Sequence, residues 1–385
     1  MNILYIGYYV DQEVFNEILQ KNINDMSEAR QIFEVNLLKG MHKTSNTNID
    51  FISYVPVNKT VSIPKFSEID TIKVNHIPID KNNIISMLSA IKSFKKFLMN
   101  LGKEKLTNLC VVMYAINPIF FLPILSLKKK YNFKLTTICS EVPAFRRHNN
   151  ALKSQIKKAV TMILNNHFDN YVLFSEKMSE VIDCKNKPTM VLEGIAPPIF
   201  GEPIEGKKNI VMYAGGLAPD NNISLLIDCC KEIKELDELW ICGTGPEQEK
   251  VEQAQKDDPR IRYLGRLDNE EVRKLETQAK LLVNIRSPKE RLTRYSFPSK
   301  ILEYIASGSM VLSTKLAGIP EEYFDYMLCV EQDEKEEIIE KIRCCFSMDD
   351  AEYVDFCKKG QKFISEEKNY LQQSKKLIDF LTDNR

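Results

Sequence analysis

Residues 294–314 read RYSFPSKILEYIASGSMVLST. The spacing predicts a helix that opens at Pro298, stops near Gly308 and feeds directly into an apolar strand, which is half of a repeating α/β unit. A purely structural helix needs neither a lysine in its first turn nor the glutamate that follows. Pro298 suits an early helical position, because its missing N–H would have no partner there. The amides of Ser299, Lys300 and Ile301 are then left in the first turn. The helix dipole disfavours Lys300 by about 0.3–1 kcal/mol unless it holds an anion. Amides, dipole and Lys300 together describe an anion site. Glu303 shares the face of Ser299 and Lys300. It would repel a phosphate but would accept hydrogen bonds from ribose hydroxyls. The alternative is an ordinary ion pair with Lys300 on a surface helix.

Outward from this stretch the chain keeps alternating. In the second half, NIVMYAGG and ELWICGTG read as strands running into glycine turns at Gly215–Gly216 and Gly243–Gly245, and IRYLG and AKLLVNIR read as further strands with helices between them. Glycines after a strand let the backbone approach a phosphate. Glu247 makes the second turn a poorer mouth for a phosphate, and a neutral nucleobase edge fits Gly243 and Thr244 better; a close-packed turn fits equally. Arg286 follows an apolar strand and is placed to fork onto a phosphate. In the first half NILYIG, IDFISYV, LCVVMYA, FKLTTIC and DNYVLFS read as strands, with helices at SEARQIFEVNLLKGM and MLSAIKSFKKFLMNLGK. GIAPPIFGEPIEGKK, from Gly194, is the best linker candidate. Two parallel-sheet domains therefore face each other across a cleft, the first over 1–195 and the second over 205–362, with ligands beyond the carboxyl ends of the strands.

Charge separates the halves. The 385 residues hold 53 Lys and Arg against 53 Asp and Glu, but residues 1–200 hold 25 against 17 and the rest 28 against 36. Lys92, Lys95, Lys96, Lys128, Lys129, Lys130, Arg146 and Arg147 fall in the basic part, which suits an anionic partner. The ten cysteines form no C-x-x-C, and four histidines without metal spacing exclude a recognisable zinc site. The pattern is that of reduced thiols in a cytoplasmic protein. CVVMYAINPIFFLPILSL (110–127) is uncharged but broken by Asn117-Pro118 and Pro123, so it reads as strand, turn and helix rather than a membrane span. No run of stacking aromatics marks the basic part for nucleic acid.

From VMYAGGLAP through YSFPSKILEYIASGSMVLSTKLAGIPEEY, roughly 210–323, the order of blocks resembles the donor domain of family 4 glycosyltransferases. MNILYIG and FDNYVLFSEKM match the other domain more loosely. The resemblance implies the GT-B fold, a last helix (363–385) that crosses back to the first domain, and transferases that build bacterial capsule, exopolysaccharide or O-antigen. It implies a nucleotide-diphosphate sugar of UDP or GDP type as donor, with no cofactor and no metal, and a glycan or polyprenyl-diphosphate-linked acceptor. It also implies retention of anomeric configuration, and the basic residues of the first half then have a partner in anionic lipid headgroups, at a peripheral place on the membrane, or in a lipid-diphosphate acceptor.

Carried over position by position, the resemblance puts the ribose carboxylate on Glu303. The diphosphate amides fall on Ser299, Lys300 and Ile301, facing Gly215 and Gly216. The base pocket falls near Gly243, Thr244 and Arg266, and further donor contacts fall on Tyr295, Ser296 and Arg286. Lys300, with Glu141 and Asn117 of the first domain, would act at the reacting bond. The family's usual Arg and Lys of the first turn fall on Gly216 and Asn221, and its first Glu falls on Tyr295. Lys300 and Arg286 are the cations that would compensate. Two other functions share these features: a nucleotide-sugar-binding subunit without catalysis, and a nucleotide-sugar 2-epimerase.

Overall fold

The computed structural model describes residues 1–21, 28–44, 47–57, 61–80, 82–142, 163–184 and 186–384. The chain divides into two α/β units. The first is made of Met1–Phe174, Met178–Ile195 and Tyr370–Arg385, the second of Ser175–Lys177 and Ala196–Asn369.

The first unit is built on β1 (Asn2–Gly7), β2 (Asn48–Pro56), β3 (Phe66–Ile69), β4 (Ile72–Ile79), β5 (Leu109–Tyr114), β6 (Lys134–Cys139), β7 (Asn170–Leu173) and β8 (Thr189–Val191). Their order is β3-β4-β2-β1-β5-β6-β7-β8, parallel except where β3 runs against β4. The central strands are apolar along their whole length because helices cover both faces; LCVVMY of β5 is buried at every position. The uncharged run 110–127 resolves into β5, a short turn and the Pro118–Tyr131 helix. Among the described residues no helix is long and apolar enough to cross a membrane.

The second unit holds β9 (Ile210–Ala214), β10 (Glu238–Cys242), β11 (Ile261–Gly265), β12 (Leu281–Asn284), β13 (Met310–Thr314) and β14 (Leu328–Val330). All are parallel, in the order β11-β10-β9-β12-β13-β14. Counted within the unit this is the doubly wound order 3-2-1-4-5-6, whose switch point lies between β9 and β12.

Three expectations change. The domain boundary expected at 363 falls inside the Asp350–Glu367 helix. Phe363 and Ile364 belong to the second unit's core, and the division lies between Asn369 and Tyr370. The Tyr370–Asp383 helix buries Leu377, Ile378 and Leu381 in the first unit's core, against the Glu28–Thr44 helix. There Ser374 Oγ donates to the Leu37 carbonyl at 2.9 Å. The proline-rich segment after Gly194 is no loose linker. Ala196 N donates to the Lys368 carbonyl at 2.8 Å, and Gln361 Nε2 donates to that of Gly201 at 2.7 Å, which straps it to the second unit. Finally, the β3–β4 hairpin and the Asp350–Glu367 helix were not anticipated. In β4 Pro78 and the interspersed polar residues hide a strand that buries Ile72, Val74, His76, Ile77 and Ile79.

Candidate functional site

The candidate site is built at the carboxyl ends of β9 and β12, the switch point of the second unit. β9 ends in Tyr213-Ala214 and turns at Gly215, whose φ of +151° few other residues adopt. A Cβ there would lie 2.6 Å from Lys300 Nζ. Gly243, with φ +138°, lies so close that any Cβ would strike the Gly215 carbonyl. The two turns are thus locked backbone to backbone: Gly215 N donates to the Cys242 carbonyl at 3.0 Å and Leu217 N to that of Thr244 at 3.0 Å.

Lys300 opens the Lys300–Ala306 helix and reaches under this turn. Its Nζ donates to the Ala214 carbonyl at 3.0 Å and lies 4.2 Å from the centroid of the Tyr213 ring. Burial, and next the Arg286 guanidinium, push the Lys300 ammonium down to about 7. Arg286 Nη2 meets Asp220 Oδ2 at 3.4 Å, while its Nε is buried with no partner among the described residues. Two cations therefore converge on one turn, where Asp220 pairs with Arg286 and Lys300 is held by the Ala214 carbonyl. Such excess positive charge at a switch point suits a polyanion. Tyr213 Oη and Asn221 Nδ2 both donate to the Gly216 carbonyl, at 2.8 and 2.7 Å, which fixes the turn. Tyr304 Oη accepts from Ala214 N at 3.1 Å.

The first turn of the Lys300 helix is tighter than expected. Ile301 N donates to the Pro298 carbonyl at 3.0 Å, so its amide is not available to a ligand, and the expectation for Ile301 is corrected. The amides of Ser299 and Lys300 have no partner among the described residues. Glu303 does not pair with Lys300. Arg273 Nε holds its Oε1 at 2.9 Å, which leaves Oε2 to accept from a ligand. Near Glu303 and Lys300 lies Glu276, 1% exposed, with an Oε2 that has no partner among the described residues. Burial, and next the Glu303 charge, push its carboxyl up to about 8.

The remaining assigned residues fall in both units. Tyr295 closes the short Arg291–Tyr295 helix with the Arg294 guanidinium 5.8 Å from its ring centroid, and Ser296 Oγ is buried without a partner among the described residues. Gly243 is committed to packing against Gly215. At that end Thr244 and Arg266 are the exposed polar groups, and Glu247 is turned aside onto Ser224 and Lys250. In the first unit, Asn117 and Glu141 follow the neighbouring strands β5 and β6. Asn117 is a helix cap whose Oδ1 accepts from Ile119 N at 3.1 Å, a structural task the resemblance did not suggest. Glu141 is exposed. Of the basic residues, Lys128 pairs with Asp169 at 2.6 Å; Arg146 and Arg147 lie outside the described residues.

Sequence reasoning passed over Tyr213, Asp220, Arg273 and Glu276. Only Glu276 left a signal: with Val272, Leu275 and Ala279 it falls on the apolar stripe of its helix.

Residues 208–347 match the family of glycosyl transferases group 1. No curated protein sequence matches the chain. Among solved structures, sucrose-phosphate synthase from Thermosynechococcus elongatus is similar at a TM-score of 0.66 and 12% identity, over 100% of this chain and 98% of that one. The lipopolysaccharide outer core galactosyltransferase WaaB in its apo form is similar at 0.67 and 14%, over 100% of both chains. Anabaena Alr3699/HepE in complex with UDP is similar at 0.66 and 12%, over 100% of both. At such identities the likeness speaks for the fold. With the group 1 domain in its second unit and that fold shared along its whole length, the chain is a GT-B glycosyltransferase.

Proposed function

We propose that the chain moves a sugar from a nucleoside-diphosphate donor to a hydroxyl of a glycan or polyprenyl-diphosphate-linked acceptor, in the synthesis of bacterial surface polysaccharide. The observation that carries this is the convergence of Lys300 and Arg286 on the Gly215 turn at the β9/β12 switch point. As the glycosidic bond breaks, negative charge grows on the leaving diphosphate. The Arg286 guanidinium and the protonated Lys300 stabilise it, and the amides of Ser299 and Lys300 add to them. Glu303, oriented by Arg273, accepts from the ribose hydroxyls. Such a site needs no metal at the phosphates, and we read the transfer as retaining by its resemblance to family 4. Support for a uridine donor comes from relatives in fold: Anabaena HepE is described with UDP and with UDP-glucose, and an E. coli protein with UDP-2-fluoro glucose.

The test is to incubate the protein with UDP-, GDP- and dTDP-sugars, with and without polyprenyl-diphosphate glycans, and to follow release of the nucleoside diphosphate. Release with one donor is expected. A protein that binds none of them sinks the reading. The second reading, a donor-binding subunit without catalysis, is favoured by one feature: Gly216 and Asn221 bring no cation, and Asn221 spends its amide on the turn itself. Donor binding with no turnover under any acceptor would select it.

A further inference from the structure

The Gly215–Gly216 turn carries no side chain of its own, and two adjacent glycines leave a chain many conformations. Its first peptide is settled by contact. The Gly215 carbonyl faces Gly243, so the trans N–H of Gly216 is turned to the opposite side. That N–H has no partner among the described residues, and Gly216 is exposed. The second peptide is settled by hydrogen bonds. Its N–H, on Leu217, donates to the Thr244 carbonyl at 3.0 Å. Its carbonyl, on Gly216, accepts twice, from Tyr213 Oη at 2.8 Å and from Asn221 Nδ2 at 2.7 Å. Water would satisfy an exposed carbonyl, so two protein donors on this one do more than burial requires.

Both donors stand on fixed ground. Tyr213 ends inside β9 and is 1% exposed. Burial pushes its phenol up, so it stays a donor. Its ring also lies 4.2 Å from Lys300 Nζ, so one side chain meets the cation and the turn together. Asn221 belongs to the short helical turn Pro219–Asn221, which is pinned on both sides of it: Asp220 meets Arg286 at 3.4 Å, and Asn222 Nδ2 donates to Asp333 Oδ2 at 3.1 Å.

We propose that Tyr213 and Asn221 are positioning residues of the donor site. Together they hold the Gly216 carbonyl away from the diphosphate, and Tyr213 also seats the Lys300 ammonium. The proposal rests on the transferase reading, with a nucleoside diphosphate at this turn. A carbonyl oxygen that swung toward the diphosphate would repel it, whereas a peptide already tied back needs no rearrangement as charge develops.

Titration of UDP or GDP, whichever the parent binds more tightly, tests this. Y213F removes the hydroxyl and keeps the ring; N221A removes the amide. Either donor still holds the carbonyl without the other. Each substitution alone should therefore weaken binding about three-fold and Y213F/N221A about thirty-fold, more than the product of the two. Y213L removes the ring as well. The pH at which affinity falls, set by Lys300, should then move down, while Y213F leaves it in place. Arg286, Glu276 and Glu303 also act on Lys300 and are kept in every variant. N221A should melt with the parent and carries the test if a Tyr213 variant fails to fold. Unchanged affinity in N221A, or a pH midpoint that moves as far in Y213F as in Y213L, overturns the proposal. A parent that binds no nucleotide is the failure of the transferase reading and takes this proposal with it. Failure of the proposal alone shows as a parent that binds and variants that bind as well.

Discussion

At the free site the Lys300 ammonium titrates near neutrality, because burial and Arg286 push it down to about 7. A bound diphosphate favours the ammonium over the amine. Binding above pH 7 should therefore take up a proton, and donor affinity should fall as pH rises through about 7 and level off below it. Calorimetry in buffers of different ionisation heat reads the uptake directly; affinity that stays flat from about pH 6 to about pH 9 would remove Lys300 from the phosphates. Lys300→Ala should cost donor binding at least ten-fold, since a charge-assisted hydrogen bond is worth ~1.5–3 kcal/mol. Gly216 offers the opposite experiment. A Cβ at Gly216 would meet nothing within 4 Å, so Gly216→Arg should fold normally. It should tighten binding of UDP-sugar in a titration, and a loss of binding would show that the phosphates lie elsewhere.

The Asn269–Gln278 helix carries a cost of its own. Glu276 sits on its buried stripe, and its folded carboxyl is raised to about 8 from an ordinary value near 4.5. Stability from the neutral acid is then fully present below about pH 4.5 and is lost as pH rises toward 8, by up to ~5 kcal/mol from the size of the shift. Glu276→Gln removes the titration. Its melting temperature, relative to the parent, should rise between pH 5 and pH 8; an equal difference at both would show Glu276 to be solvated. The same helix shows what could be read in advance. Val272, Leu275 and Ala279 set its period, and Glu276 stood on that stripe in plain view. Its neighbourhood did not, because Lys300, Glu303 and Arg273 come together only when two helices pack on one sheet edge. Elements with strong apolar runs, such as β1, β5 and β9, were legible from periodicity alone. β4 was not, because Pro78 and the interspersed polar residues imitate a loop. At Ile301 the number of residues in the first turn was right, and the tight bond to Pro298 that removes its amide was beyond any pattern of residue types.

On the scale of the whole molecule, the first unit is assembled from segments far apart in sequence. Leu377 and Leu381 fill its core between the Glu28–Thr44 helix and the sheet. Leu377→Ala should destabilise the chain by about 2–5 kcal/mol, a cavity cost measured by denaturant titration. Under a domain-resolved probe the loss should fall on the first unit and spare the second, whose residues 196–369 are contiguous. A mutant that melts both units alike would contradict that independence. The arrangement also sets an order of events during synthesis. A ribosome makes residues 196–369 of the second unit before it makes the Tyr370–Asp383 helix. Until then the groove along Leu37, Leu38 and Met41 has no cover, and the sheet beneath it waits. The earliest-made half of the polypeptide is thus the last to finish folding. Slowing translation should lengthen that wait, and a chaperone that shields apolar grooves should raise the yield of this protein more than one that acts on finished chains.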